Sequence, residues 1–224
     1  MPPTPSSTVV LLHGLGLGRW AMARLARALQ REGHRVVNLG YASLRVPLEE
    51  LATRWLPQQL AAHGVSLESG ARVHVVTQSM GAIVLRGWLQ HHGTPPLGLN
   101  RVVMIAPPNQ GSTLVDRIGH GWLFRLLTGV NGRRLGTGPD SYVCSLGPWP
   151  AGPELGVIAG DRPATPLLAR WTGSPGDGKV RVVDTRLDGM ADHLVMPHSH
   201  TWIQYRTAVI TQAIAFLSTG RFSR

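Results

Sequence analysis

The stretch Val73-His74-Val75-Val76-Thr77-Gln78-Ser79-Met80-Gly81-Ala82-Ile83-Val84-Leu85 decides how the rest of the chain is read. An apolar run ends in a polar triplet with a serine at its tip, and an apolar, helix-length stretch continues through Leu89. Strand, sharp turn and helix in that order form the setting of a nucleophile elbow, which lifts a serine hydroxyl clear of its neighbours. So tight a turn leaves no room for large side chains, so small residues flank the serine. Gly81 fills the second small position. Thr77 stands where a first glycine is usual, and threonine is small and favours strand. The bland alternative is a plain turn in which Ser79 only caps the helix.

A second segment weighs against that alternative. Thr8-Val9-Val10-Leu11-Leu12 is continuously apolar, as expected of a strand covered on both faces. It ends in His13-Gly14-Leu15-Gly16-Leu17-Gly18, and a helical pattern follows. Such a loop suits an oxyanion hole, because glycines let backbone N–H groups point inward with no Cβ in the way. The expected donors are the N–H groups of Leu15 and Met80. A dinucleotide-binding turn is the rival reading. Its third glycine is missing, with Arg19 and Trp20 near that place, and no acidic residue ends Arg35-Val36-Val37-Asn38-Leu39-Gly40.

With these stretches in hand, the chain resembles the α/β-hydrolases, in particular the lipase-like bacterial serine esterases. The resemblance rests on Leu11 to Gly16, on Val75 to Gly81, on Ala106-Pro107-Pro108-Asn109-Gln110-Gly111-Ser112, and on Asp177-Gly178-Lys179-Val180 with the later Ser199-His200-Thr201. They occur in the family's order across nearly the whole chain. The chain is read as one domain over 1–224, and the chemistry requires no cofactor or metal. The resemblance implies a triad in the chain order Ser, Asp, His. It places the acid in a D-G-x-V stretch, which points to Asp177, and the base just before the last helix and ahead of a small residue, which points to His200. Asp161, closing the apolar run Leu155 to Gly160, is the alternative acid, and either aspartate could instead be a turn residue. His198 is the alternative base, and His193 is read as packing or capping in the loop. A His-x-His pair can hold zinc, but no third ligand stands at a helpful spacing. The residues expected to meet substrate are His13, Gly14, Gln78, Pro108 and Asn109, because loops at the carboxyl ends of strands edge the site.

Chemistry asks for the same set. A serine hydroxyl needs an adjacent base at neutral pH. The base in turn needs a carboxylate to fix its tautomer and stabilise the imidazolium. The reading is a serine hydrolase of carboxylic esters, its substrate a small ester with an apolar acyl group. An acyltransferase on the same triad, or a non-catalytic binding protein on the same fold, are the alternatives.

The 224 residues suffice for one domain with a sizeable core. No window approaches the roughly twenty apolar residues of a membrane span. Met1 to Ser7 lack the features of a signal peptide, and Cys144, the single cysteine, rules out an internal disulfide. Both suit a cytoplasmic protein. The net charge of +10 comes almost wholly from arginine, with Lys179 the one lysine. Scattered arginines and the lack of a nucleic-acid motif argue against nucleic acid, and leave at most a weak contact with an anionic membrane surface.

Strands are expected at 8–13, 35–40, 72–77, 101–106, 155–159 and 180–184. Helices are expected at 19–32, 47–63 with a bend or break at Pro57, 79–92, 112–128, 164–171 and 203–218. That alternation means βαβ units and a mainly parallel sheet covered on both faces, without the family's leading hairpin. The segment 107–152 breaks it. Leu123, Leu126, Leu127 and Val130 share a face there, and the segment reads either as a small cap over the site or as an ordinary sheet-covering helix.

Overall fold

The computed structural model describes residues 7–173 and 175–224. The amino-terminal stretch read for a leader lies outside them up to residue 6, as does Ser174 beside the Asp177 loop. Among the described residues, six strands form one sheet: β1 (Thr8–Leu12), β2 (Arg35–Leu39), β3 (Val73–Gln78), β4 (Leu99–Ile105), β5 (Glu154–Gly160) and β6 (Asp192–Met196). Their order is β2-β1-β3-β4-β5-β6, and every pairing is parallel. A parallel sheet needs a crossover between successive strands, and the helical segments supply them. The α-helices are α1 (Ala23–Arg31), α2 (Leu48–Glu50), α3 (Leu56–Ala62), α4 (Met80–His92), α5 (Thr113–Ile118), α6 (Trp122–Thr128), α7 (Pro166–Thr172) and α8 (Thr207–Thr219).

Strand side chains alternate between faces, so one apolar run feeds two cores. Val9 and Leu11 of β1 join Val76, Val103, Ile105 and Ile158 under α1 and α8, where Met22, Leu25, Leu29, Val209, Ala213 and Phe216 meet them. Val10 and Leu12 join Val75, Val102, Met104 and Val157 under α2, α3 and α4. On α1, Arg24, Arg27 and Arg31 are exposed, while Leu25 and Leu29 are buried on the opposite face. Phe216 reaches β5 only because position 156 is glycine; a methyl group there would stand 2.6 Å from its ring.

Three expectations are corrected. First, 180–184 is not a strand. Asp177 Oδ1 accepts the backbone N–H groups of Lys179 and Val180 at 2.9 and 2.8 Å. That folds the segment into a loop, which Arg181 and Asp184 close by a two-pronged ion pair. What strand character remains there is a single bridge between Gly176 and Arg181. The sixth strand is instead Asp192–Met196, and His193 lies within it rather than in a loop. Second, 112–128 is two helices, because Gly119-His120-Gly121 parts α5 from α6. Third, the final helix begins at Thr207, with Ile203 in a separate 3-10 turn. Pro57 does not break its helix. α2 runs through a π-helical stretch (Leu51–Trp55) into α3, a device that accommodates the N–H the proline lacks.

Buried His74 of β3 makes the fold acid-sensitive. Burial, the neighbouring His34 and the nearby Arg101 and Arg72 hold its pKa down from 6.5 to about 4, and its Nδ1 has no hydrogen-bond partner. Unfolded chain therefore binds a proton that folded chain refuses, so stability is full above about pH 6.5 and falls as the pH drops toward about 4. Urea midpoints at pH 7, 6, 5 and 4 should decline in that window. His74→Leu should flatten the decline without removing it, because His193 is also held to about 4, mainly by burial. Parallel curves for the two proteins would show that His74 is not a source of the acid sensitivity.

Candidate active site

The strand order reverses direction around β1 and β3, since the chain passes from β1 outward to β2 and then back to β3 on the other side. In parallel sheets a crevice opens there, beyond the carboxyl ends of the strands. Two loops meet in it, His13 to Gly18 after β1 and Ser79 after β3. A methyl group on Gly14 would lie 3.1 Å from Ser79 Cβ, which measures how closely they meet.

Ser79 has φ 51 and ψ −121, a conformation that side-chain-bearing residues rarely adopt. The surroundings hold it there. Its N–H is bonded to Ile105 O at 2.9 Å, and its own carbonyl accepts from Ala82 at 3.0 Å. Behind it, a methyl group on Gly81 would stand 2.6 Å from Leu12 O and 2.9 Å from His13 O, so α4 starts hard against the end of β1.

Ser79 Oγ and His200 Nε2 are 2.9 Å apart, and His200 Nδ1 lies 2.7 Å from Asp177 Oδ2. All three residues are buried, Ser79 at 8%, His200 at 5% and Asp177 at 2% exposure. The loop that replaces the expected strand is what delivers Asp177. Its Oδ1 is filled by the Lys179 and Val180 N–H groups, its Oδ2 faces the imidazole, and its carbonyl accepts the His200 N–H at 3.0 Å. Gly160 makes room at the end of β5, since a methyl group there would meet Asp177 Cβ at 2.8 Å.

The alternatives lie elsewhere. Asp161 faces Arg162 at 3.7 Å, and the half-buried His198 has Arg206 and Asp161 as charged neighbours. His193 Nε2 is 2.9 Å from Thr185 Oγ1. Among the described residues no three His, Cys, Asp or Glu side chains group as metal ligands would.

Met80 opens α4, so its N–H has no acceptor within the helix. In the facing loop, Gly16 N–H bonds Ser43 Oγ at 3.0 Å and Leu17 N–H bonds Gly14 O at 3.3 Å. The Leu15 N–H of this loop, like those of Gly14 and Gly18, has no acceptor among the described residues.

A cavity of about 340 Å³ opens over Ser79. Leu114, Val115, Ile118, Phe124, Leu127 and Leu135 give it an apolar side, and all come from 107–152. Gln78, Pro108, Gln204 and Thr201 also line it. Three residues expected to touch substrate, His13, Gly14 and Asn109, do not line it. His13 is fully buried: its Nδ1 donates to Gly14 O at 2.8 Å, its Nε2 accepts from Tyr41 N at 3.2 Å, and its ring stacks on Tyr41. Burial lowers its pKa, with the Gly14 bond opposing. Asn109 is spent on bracing, its Nδ2 donating to Thr185 O at 2.8 Å. Gly14 is buried, with its backbone beneath Gln78 and Ser79.

Sequence reasoning missed Arg86. It sits at 5% exposure on α4 and donates to Asn109 O, Leu146 O and Gly147 O, tying the serine-bearing helix to both ends of 107–152. Burial brings its pKa down to about 10. The available signal is an arginine inside the apolar run Ala82 to Leu89.

No protein-family model and no curated protein sequence matches the chain. Solved structures do. A lipase of Bacillus licheniformis, BlEst2 in mature form, superposes with a TM-score of 0.71 at 20% identity, over 97% of this chain and 93% of that one. The fold is that of the α/β-hydrolases. Phospholipase PlaB from Legionella pneumophila, in complex with thio-NAD, gives 0.72 at 19% identity over 87% of this chain, which spans about half the length of that protein, 52%. The metagenomic carboxyl esterase MGS0156 gives 0.69 at 17% identity, over 90% of this chain and 66% of that one. Among the described residues, no helix is long and apolar enough to cross a membrane.

The approach of α4 to β1 yields a direct check. Gly81→Ala should lower stability by about 1–3 kcal/mol, because the new methyl group meets two backbone carbonyls that cannot swing away. Urea denaturation measures it, and an unchanged midpoint would mean that the elbow is looser than described.

Proposed function

We propose that the protein hydrolyses carboxylic esters by way of a covalent acyl-enzyme, with Ser79 as nucleophile, His200 as base and Asp177 as the group that orients His200. The supporting observation is the pair of hydrogen bonds, 2.9 and 2.7 Å, that links the three side chains, two of which, Ser79 and His200, line one cavity. Ser79 Oγ attacks the ester carbonyl carbon as its proton passes to His200 Nε2. The carbonyl oxygen takes up the negative charge, and the N–H groups of Leu15 and Met80 hold it. One such donor is worth roughly 3 kcal/mol in the transition state. As the tetrahedral species collapses, the C–O bond to the alcohol breaks and His200 gives the departing oxygen its proton. Water then loses a proton to His200, attacks the acyl-enzyme and releases the acid, restoring Ser79. The segment 107–152 acts as a cap within a single domain, and its apolar residues receive the acyl group. The lipase and esterase neighbours support the reading at the level of fold.

Turnover of 4-nitrophenyl esters tests the assignment. Ser79→Ala should abolish it with the fold retained. Asp177→Asn should lower kcat by about 10⁴-fold, far more than Asp161→Asn, and His200→Ala should cost far more than His198→Ala. Undiminished activity in Ser79→Ala rules out the nucleophile, and the opposite ranking of the aspartates moves the acid to Asp161.

A further inference from the structure

The cavity over Ser79 holds one charge that the proposed reaction does not use. Lys179, the single lysine of the chain, lines it together with Ser79, Val180 and His200. Lys179 and His200 are the two ionisable side chains among the described residues that line the cavity, and no carboxylate joins them. The backbone of Lys179 is pinned on both sides. Its N–H donates to Asp177 Oδ1 at 2.9 Å, and its carbonyl accepts from Ser112 Oγ at 2.6 Å. Its ammonium, by contrast, makes no hydrogen bond or ion pair among the described residues. The residue as a whole is exposed, yet surrounding protein desolvates the ammonium and lowers its pKa, with the charge of Asp177 opposing. An open surface on a residue whose charged end is crowded puts that end in a recess, and the recess that Lys179 lines is the cavity. An ordinary surface lysine differs, since its head reaches out into bulk water.

A cation in a cavity walled by Leu114, Ile118 and Leu135 is screened less than one in open water, so an anion entering the cavity is attracted strongly and a neutral group of the same size is not. One ammonium balances one unit of negative charge. Resting on the ester-hydrolase reading, we infer that the substrate is an ester that also carries a free carboxylate, and that Lys179 binds this carboxylate. The ammonium donates to it while the ester carbonyl lies at Ser79 Oγ. Lys179 therefore selects substrate through a group remote from the bond that breaks. An ester of the same shape without the charge leaves the ammonium desolvated and unpaired, and a site built around such a group discriminates against substrates that cannot fill it.

Two pairs of esters, alike in shape and different in charge, test the inference and locate the carboxylate. In the acyl part, monoethyl glutarate is set against ethyl 5-methylhexanoate. In the alcohol part, 3-(butyryloxy)propanoate is set against 3-methylbutyl butyrate. At neutral pH the wild-type protein should favour the anionic member of one pair by roughly tenfold or more in kcat/KM. In Lys179→Met, which keeps the stem and removes the charge, that ratio should fall to one or below, and Lys179→Arg should retain most of it. A purely structural role would lower both members of a pair together and leave the ratio alone. A wild-type protein that favours the anionic member of neither pair overturns the inference without any variant, as does a preference that survives Lys179→Met. With 4-nitrophenyl butyrate as a fifth substrate, the failures are distinct. If no ester is turned over, the hydrolase reading falls and this inference with it; if 4-nitrophenyl butyrate is turned over and neither anionic ester is favoured, only the role of Lys179 falls.

Discussion

The contact between Gly81 and the carbonyl oxygens of Leu12 and His13 governs the rest of the molecule. It brings the first turn of α4 against the end of β1 at a distance no side chain could share. With the helix there, Ser79 must turn through a positive φ to join β3 to α4, and its side chain is thrust into the crevice. The same closeness brings the start of α4 against the glycine loop that follows β1. Backbone strain of this kind costs on the order of 1–3 kcal/mol and persists only where surrounding structure enforces it. Here the enforcement comes from two fully covered sheet faces, with Val10 and Leu12 locked into one core and Val9 and Leu11 into the other.

A rigid sheet can place one group; the other two arrive on loops. Asp177 is held by its own turn and His200 by the backbone bond to Asp177, so the two side chains form one unit that sits on Gly160 at the end of β5. The serine is thus positioned by β3, and its partners by the far half of the sheet. The register from β3 through β4 to β5 carries the distance between them. Arg86 and Asn109 extend this bracing to the segment 107–152.

Much of this is legible in the chain. Ser79, Gly81 and the glycine loop announce themselves because a tight strand-to-helix turn admits few residue types. Asp177 and His200 stand out from Asp161 and His198 only through resemblance, since no local periodicity separates an acid from a turn residue. The misplaced sixth strand shows the limit. Val180-Arg181-Val182-Val183 has strand-like residues, but the Asp177 carboxylate captures the N–H groups of Lys179 and Val180, and a local side-chain bond of that kind overrides propensity. Asp192-His193-Leu194-Val195-Met196, by contrast, reads as polar at its start because an edge strand is only half covered. His13 and Asn109 look like substrate contacts from their positions after strand ends. Their partners, Tyr41, Thr185 and Arg86, come from distant segments that sequence alone does not bring near.

The account stands or falls on whether the hydroxyl of residue 79 is chemically activated by the imidazole beside it. A fluorophosphonate reacts with an activated serine and leaves a stable phosphonate on it, and peptide mass spectrometry identifies the residue that bears the mass. The account predicts one adduct, on the peptide holding Ser79, formed in the wild-type protein and strongly slowed in His200→Ala. An unmodified Ser79 after prolonged exposure, or an adduct carried by a different residue, would contradict it.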